Sequence, residues 1–188
     1  MTSPIPSPPP TLDTERLQLR AFNSEDAGPA HTLAGDRDVA KMTRTIPHPY
    51  TQADAERWID ATSHLMARGL LRQHAITRVR DGQLMGNLTL RKRHAGDAQA
   101  ELSFWLGKPF WGHGYIAEAA RIALFDGMTH FGLTSVRAAA LEGNPRSARV
   151  LEKLGFIRDG EMEVYGLNWD GKAMLRTYLL TLPAGLEF

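Results

Sequence analysis

The chain has 188 residues, 43% of them apolar and 23% charged, with a formal net charge of +1. These values fit one globular domain with a sizeable core, and they exclude a disordered chain, a coiled coil and a protein held to nucleic acid by bulk positive charge. The lack of cysteine removes disulfides, thiolate metal sites and a thiol nucleophile, and no apolar run approaches membrane-spanning length.

The opening "MTSPIPSPPP" carries five prolines in ten residues, which reads as an extended or disordered arm over residues 1–12. It lacks the basic and apolar regions of a signal peptide, so a cytoplasmic location is expected. A single domain is expected over residues 13–188. "RLQLRAF" (Arg16–Phe22) alternates as a strand does. Ser24 and Asp26 suit the start of a helix reaching about Leu33. "TIPHPY" (Thr45–Tyr50) is a proline-broken loop, after which Thr51 caps a helix, with Asp54 in the capping-box region. Trp58, Ile59, Leu65 and Met66 are that helix's apolar candidates.

"QHAITRV" and "LMGNLTL" flank Asp81-Gly82, a hairpin turn signal, and "AELSFWL" (Ala100–Leu106) adds a third strand. A helix follows from about Ile116 to Phe131. Its apolar stripe is Ile116, Ala119, Ala120, Ala123, Leu124, Met128 and Phe131, and Gly132 is its stop. "SVRAAAL" is a short strand. Asn144-Pro145 then reads as an N-cap with proline at the first helical position. Val150, Leu151 and Leu154 give this last helix its buried face. Gly155 closes it in the left-handed conformation, and Phe156 folds back. The tail from about Glu161 to Leu182 reads as two strands around "WDGK". The fold class is therefore mixed α/β: a largely antiparallel sheet with flanking helices. Such sheets bind ligands outside the carboxyl ends of their strands, where the topology changes.

"FWGHGYIAEA" (Phe110–Ala119) lies at such a strand-to-helix transition. Glycine is a poor helix former, so Gly112 and Gly114 at a helix start need a reason. One reading is a tight turn. The other is an anion site, where unpaired N–H groups and the helix dipole face a phosphate that side chains would otherwise block. No Lys-Ser/Thr pair follows, so this is not a P-loop. Ala117 in place of a third glycine makes it a poor dinucleotide fingerprint.

Together, "ELSFWLGKPFWGHGYIAEA" and "NPRSARVLEKLGF" (Asn144–Phe156) resemble the GCN5-related N-acetyltransferase superfamily. "TERLQLRAF" and "NWDGKAML" make the chain similar to its branch that acetylates ribosomal-protein N-termini. The resemblance runs from about Asp13 to Leu182. It implies a sheet splayed at its middle, with acetyl-CoA as cosubstrate in the cleft. It further implies that the loop amides of Trp111, Gly112, His113, Gly114, Tyr115 and Ile116, leading into Ala117, hold the coenzyme pyrophosphate. The broad family pattern has Gln or Arg at Trp111 and Gly or Ala at Ile116, and Ile116 crowds the loop. The strand Leu102–Leu106, with Phe104 and Trp105 between, would bind the pantetheine arm, and Asn144 would bond the same arm while capping its helix.

Ser147 is the candidate to protonate the departing sulfur, because Leu151 stands where many relatives place a tyrosine. The other reading of Ser147 is a first-turn helix serine bonded only to backbone. Glu101 is the carboxylate candidate for the base, sharing a strand face with Ser103 and Trp105; a solvent-facing or arginine-paired edge residue is the alternative. Glu161, Glu163 and Tyr165 are candidates for the acceptor side, and a glutamate frequent in the branch falls near Leu167 here. "RKRH" (Arg91–His94) reads as a solvated hairpin end. The seven histidines show no metal-ligand spacing, so no metal is expected.

The expected activity is transfer of an acetyl group from acetyl-CoA to a primary amine within a ternary complex. The acceptor is a peptide or protein α-amine, or a small molecule such as a polyamine, antibiotic or amino acid. A non-catalytic acyl-CoA sensor is the alternative from another class. Neither nucleic acid nor membrane is an expected partner, and a homodimer is left open.

Overall fold

The computed structural model describes residues 9–167 and 171–182, and in it the alternating sequences assemble into one eight-stranded sheet. The strands are β1 (Leu12–Asp13), β2 (Leu17–Arg20), β3 (Leu71–Arg78), β4 (Leu84–Arg91), β5 (Gln99–Leu106), β6 (Ser135–Leu141), β7 (Ile157–Tyr165) and β8 (Lys172–Thr181). The helices are α1 (Ala27–Ala34), α2 (Arg37–Ala40), α3 (Gln52–Ala67), α4 (Tyr115–Phe131) and α5 (Pro145–Lys153). In space the strands run β1-β2-β3-β4-β5-β6-β8-β7. Every neighbouring pair is antiparallel except β5 and β6. The sheet begins at Leu12, which pairs with Leu19 at the edge of the expected arm; residues 1–8 of that arm lie outside the described residues.

Alternation along the strands sends side chains to two cores. On one face Leu17, Leu19, Ile76, Leu88, Leu90 and Leu102 pack with Ala119, Ala120, Ala123 and Leu124 of α4 and Leu151 of α5. The alanines let α4 lie close to the sheet. On the other face Ala75, Leu84 and Trp105 pack with Ala27, Ala30 and Ala34 of α1, Val39 of α2, and Ala55 and Ile59 of α3. No helix among the described residues is long and apolar enough to cross a membrane.

The helix ends follow their local chemistry. Thr51 and Asp54 form the expected capping box: Asp54 N–H donates to Thr51 Oγ1 at 3.2 Å and Thr51 N–H to Asp54 Oδ2 at 2.9 Å. The first helical segment starts differently from expectation. Asn23, not Ser24, is the cap, and Ser24–Asp26 is a 3₁₀ turn leading into α1. Asp26 is drawn inward because it takes both the Asn23 N–H and the Arg20 guanidinium. Short α2, capped by Asp36 Oδ1 accepting from Asp38 N–H at 2.7 Å, has too few residues for a periodic signal. The final hairpin starts at Ile157 rather than near Glu161, and Trp169 and Asp170 of its expected turn lie outside the described residues.

The decisive feature is where β5 and β6 part. They pair from Gln99–Ser135 to Leu102–Ala138. Beyond that, Ser103–Leu106 keep only β4, and Ala139–Leu141 keep only β8. Right-handed sheet twist carries the two ends apart, leaving a wedge at the carboxyl end of β5.

Candidate active site

The wedge is bordered by the glycine loop. After β5 a 3₁₀ turn spans Lys108–Phe110, and its last bond uses the Trp111 N–H, donated to Lys108 O at 3.2 Å. Gly112 and Gly114 then take φ of 85° and 80°, a left-handed conformation that side chains disfavour. Gly114 caps α4 with no side-chain bond, and the first helical acceptor used is Gly114 O, taken by Glu118 N–H at 3.1 Å. Among the described residues, the amides of Gly112, His113, Gly114, Tyr115, Ile116 and Ala117 meet no protein acceptor. A Cβ at Gly112 would point into open space, and one at Gly114 would come no closer than 3.9 Å to Arg16 Nη2. The loop is therefore an open cradle of N–H groups at a helix start, the chemistry a pyrophosphate needs. The Trp111 amide is already used inside its turn, so the free run begins one residue later than expected.

Trp111 contributes through its side chain instead. Its indole Nε1 donates to Leu106 O at 2.7 Å, tying the loop to the end of β5, and the Arg146 guanidinium lies 4.8 Å above its ring. Glu118, in the first turn of α4, would repel an anion if left bare. Arg16 Nη2 meets it at 2.6 Å and Thr14 Oγ1 at 2.6 Å. Burial pushes its carboxyl pKa up, but the bonds from Thr14 and Arg16 outweigh that and hold it below the ordinary value. Arg16 also covers the Tyr115 ring at 4.6 Å. His113 is exposed beside the same ring.

Across the wedge, α5 presents Asn144 and Ser147. Asn144 Oδ1 accepts the Ser147 N–H at 3.2 Å, which is the expected cap. Its Nδ2 donates to Ser147 Oγ at 3.0 Å. One amide proton of Asn144 is thus committed and one is left for a ligand. Because Ser147 Oγ already accepts from Asn144, its own proton is directed elsewhere. The buried Leu151, one turn on, packs into the core and cannot serve the cleft.

Two cavities meet at these residues. One, of about 340 Å³, runs between the loop and α5 past Phe104, Trp105, Leu106, Ile116 and Ala117. The other, of about 490 Å³, lies under the Thr45–Tyr50 loop and the final hairpin. Phe104, Trp105, Asn144 and Ser147 line both. Leu102, Ser103 and Glu101 line the second cavity, with Glu101 exposed in its wall and set in register between Arg91 and Arg137. The two roofs are tied together, because Leu167 N–H donates to Arg44 O at 3.0 Å.

Some expected residues are not brought here. Glu161, Glu163 and Tyr165 occupy the alternation of β7 opposite to Met162, and Met162 is the one that lines the second cavity. Glu161 pairs with Arg158, and Glu163 meets Lys172 at 2.6 Å. Lys92 of the "RKRH" run is not solvated: it is buried, with Nζ donating to Phe131 O at 2.6 Å and lying 4.2 Å above the Phe131 ring. There it caps the far end of α4, away from the glycine loop. Conversely, sequence reading passed over Gln73, Asn87 and Thr89, buried polar side chains lining the second cavity. The only signal was polarity inside strand runs that are otherwise apolar. Among the described residues, no group of three His, Asp or Glu side chains could hold a metal.

The description of the "Acetyltransferase (GNAT) domain" family matches residues 16–157, from β2 to the start of β7. The chain belongs to the GNAT acetyltransferase family. As a GNAT protein it is an acetyl-CoA-dependent N-acetyltransferase. It is 27% identical over 156 residues to "Uncharacterized N-acetyltransferase p20" of Bacillus licheniformis, covering 82% of this chain and 86% of that one. It is 32% identical over 94 residues to "Putative ribosomal N-acetyltransferase YdaF" of Bacillus subtilis (strain 168), covering 48% and 51%. A solved ribosomal L7/L12 alpha-N-protein acetyltransferase in complex with coenzyme A shares the GNAT fold at a TM-score of 0.81 and 16% identity, with 92% of this chain and 98% of that one covered.

Proposed function

We propose that the protein transfers the acetyl group of acetyl-CoA to the α-amine of a peptide or protein chain. The observation that carries this reading is the junction of the two cavities at Asn144 and Ser147, with a roofed chamber on one side and the amide cradle on the other. A chamber bridged at its roof by the Leu167–Arg44 bond offers room for the end of a chain. Relatives named for ribosomal-protein acetylation support the same class of acceptor.

Acetyl-CoA supplies an activated thioester. In this reading the amides of residues 112–117 bind its pyrophosphate, and the free edge of Ser103–Leu106 together with Asn144 holds the arm. The amine nitrogen forms a bond to the acetyl carbon as the carbon–sulfur bond breaks, and in net one proton passes from nitrogen to sulfur. Ser147 holds a proton at Oγ for the departing sulfur. In the same reading Glu101 takes one from the amine. Only a neutral amine attacks, and an α-amine, with a pKa of about 7.7–8.0, is substantially neutral near pH 8, whereas a lysine side chain at about 10.4 is not. That lowers the demand on the exposed Glu101.

The test compares thiol release with free α-amine peptides, the same peptides blocked at the N-terminus but carrying lysine, and polyamines. Free α-amine peptides are expected to react fastest. Preference for either other class would overturn the acceptor assignment. Ser147→Ala is expected to lower kcat about tenfold to a thousandfold while leaving acetyl-CoA affinity unchanged. Wild-type turnover in that variant would return Ser147 to a capping role.

A further inference from the structure

We infer that Arg16, with Thr14, keeps the amide cradle open to the coenzyme by holding the Glu118 carboxylate away from it, which makes the β1–β2 turn a positioning element of the cosubstrate site. The inference rests on the reading above that the loop amides bind pyrophosphate. Its basis is an acidic side chain set beside a proposed anion site. Glu118 stands in the first turn of α4, directly after the amides of residues 112–117 that meet no protein acceptor among the described residues. An acidic group there is ordinarily favourable, because it answers the positive end of the helix. That same end is what a phosphate needs.

The carboxylate is turned aside by donors from near the other end of the chain. Its Oε1 accepts from Thr14 Oγ1 at 2.6 Å and from the Arg16 N–H at 3.2 Å. Its Oε2 accepts from Arg16 Nε at 2.8 Å, with Arg16 Nη2 at 2.6 Å. The turn that carries these donors is itself closed: Thr14 N–H donates to Leu17 O at 2.8 Å, and Leu17 N–H to Thr14 Oγ1 at 3.0 Å. The Arg16 guanidinium lies 4.6 Å over the Tyr115 ring, and its Nη2 is 3.9 Å from where a Cβ on Gly114 would stand, so this clasp sits against the loop. Burial raises the Glu118 pKa, but the bonds from Thr14 and Arg16 outweigh it, and the group is ionised at neutral pH.

Without the clasp the carboxylate has a second set of partners within reach. In a capping box an acidic side chain bends back to an N–H group three residues earlier. Glu118 follows Tyr115 by three residues and Gly114 by four, and both N–H groups are free among the described residues. Released, Glu118 would take those donors and set its charge against the phosphates. Bonds from backbone N–H groups to a carboxylate are among the stronger protein hydrogen bonds, so Glu118 would be an effective competitor. Arg16 thus acts through Glu118 and is a positioning residue. Glu118→Ala deletes the competitor, so acetyl-CoA binding in that variant is expected to equal or exceed that of wild type.

The experiment uses the full chain and measures Kd by calorimetry for acetyl-CoA and for acetyl-pantetheine, which lacks the pyrophosphate. Wild type is expected to bind acetyl-CoA about a hundredfold tighter than acetyl-pantetheine. Arg16→Met is expected to weaken acetyl-CoA about tenfold and to leave acetyl-pantetheine within about twofold. The double variant Arg16→Met/Glu118→Ala is expected to return to within about threefold of wild type. If Arg16→Met does not fold, Thr14→Val decides instead: it removes one bond of the clasp and is expected to weaken acetyl-CoA about threefold. Unchanged acetyl-CoA affinity in the folded variant, no recovery in the double variant, a loss in Glu118→Ala as large as that in Arg16→Met, or an equal loss for acetyl-pantetheine would overturn the inference. Equal binding of the two thioesters by wild type would instead overturn the pyrophosphate reading, and this inference with it.

Discussion

His74 shows how one side chain can carry a pH response without touching the chemistry. It is fully buried on β3, both ring nitrogens lack partners among the described residues, and it shares a strand face with Ile76 and Arg72. Burial, with Arg72 adding to it, pushes its pKa down to about 4. The folded protein therefore keeps a neutral ring where the unfolded chain, with a pKa near 6.5, takes up a proton. Stability from this residue is fully present above about pH 6.5 and is lost as pH falls toward about 4. The loss amounts to about 3 kcal/mol at most. His74→Leu removes both the titration and the orphan nitrogens. The difference in Tm between pH 7.5 and pH 5 is expected to be smaller in the variant, and equal differences would count against this account.

Around the loop after β5 three elements are fastened to one another. The Trp111 indole holds the loop to Leu106 O, Arg146 of α5 lies on the same indole, and Arg16 beside β2 neutralises Glu118 of α4. Trp111→Phe keeps an aromatic ring but deletes the indole N–H, a bond worth about 1 kcal/mol. The expected outcome is a Tm lower by about 2–4 °C. Acetyl-CoA affinity should weaken about three- to tenfold, as read by calorimetry, because the free amides lose their anchored frame. Unchanged affinity would place the bond outside cosubstrate binding.

Beyond the four β5–β6 register pairs the two halves of the splayed sheet no longer pair strand to strand, and contacts such as the Leu167–Arg44 bond and Arg146 over Trp111 cross the wedge. A ligand that bridges β5, the loop and α5 should fasten the halves together. At a hundred times its Kd, acetyl-CoA is expected to stabilise the protein by about 2.7 kcal/mol. For a chain of this size that is a Tm rise of roughly 5–10 °C. Gly114→Asn tests the proposed cradle: asparagine tolerates the left-handed conformation but would put a side chain in the path proposed for the coenzyme's phosphates. The variant is expected to melt within a few degrees of wild type and to lose most of the ligand-induced rise. A full rise in Gly114→Asn would remove the loop from the binding site.

Much of the fold and the shape of the glycine loop in the candidate site could be read before any coordinates, because they depend on near neighbours in the chain. The Thr51–Asp54 box, the α4 stripe, Gly132 and Gly155 as stops, and the Asn144 cap all obey rules that span three or four residues. The glycine loop is local in the same way, since its free amides follow from Gly112, Gly114 and the helix that begins beside them. Side-chain fate across strands is not local. Lys92 goes under Phe131 because α4 ends there, 39 residues on. Met162, though exposed, borders the cleft and Glu163 lies on the other alternation, because pairing with β8 sets which face of β7 meets the cleft. Gln73, Thr89 and Ser103 form one row only through the registers of β3, β4 and β5. Capping and periodicity act over one helical turn. Register, the splay of β5 from β6 and the chamber they enclose arise from contacts between distant segments, and a sequence pattern does not record which of those segments meet.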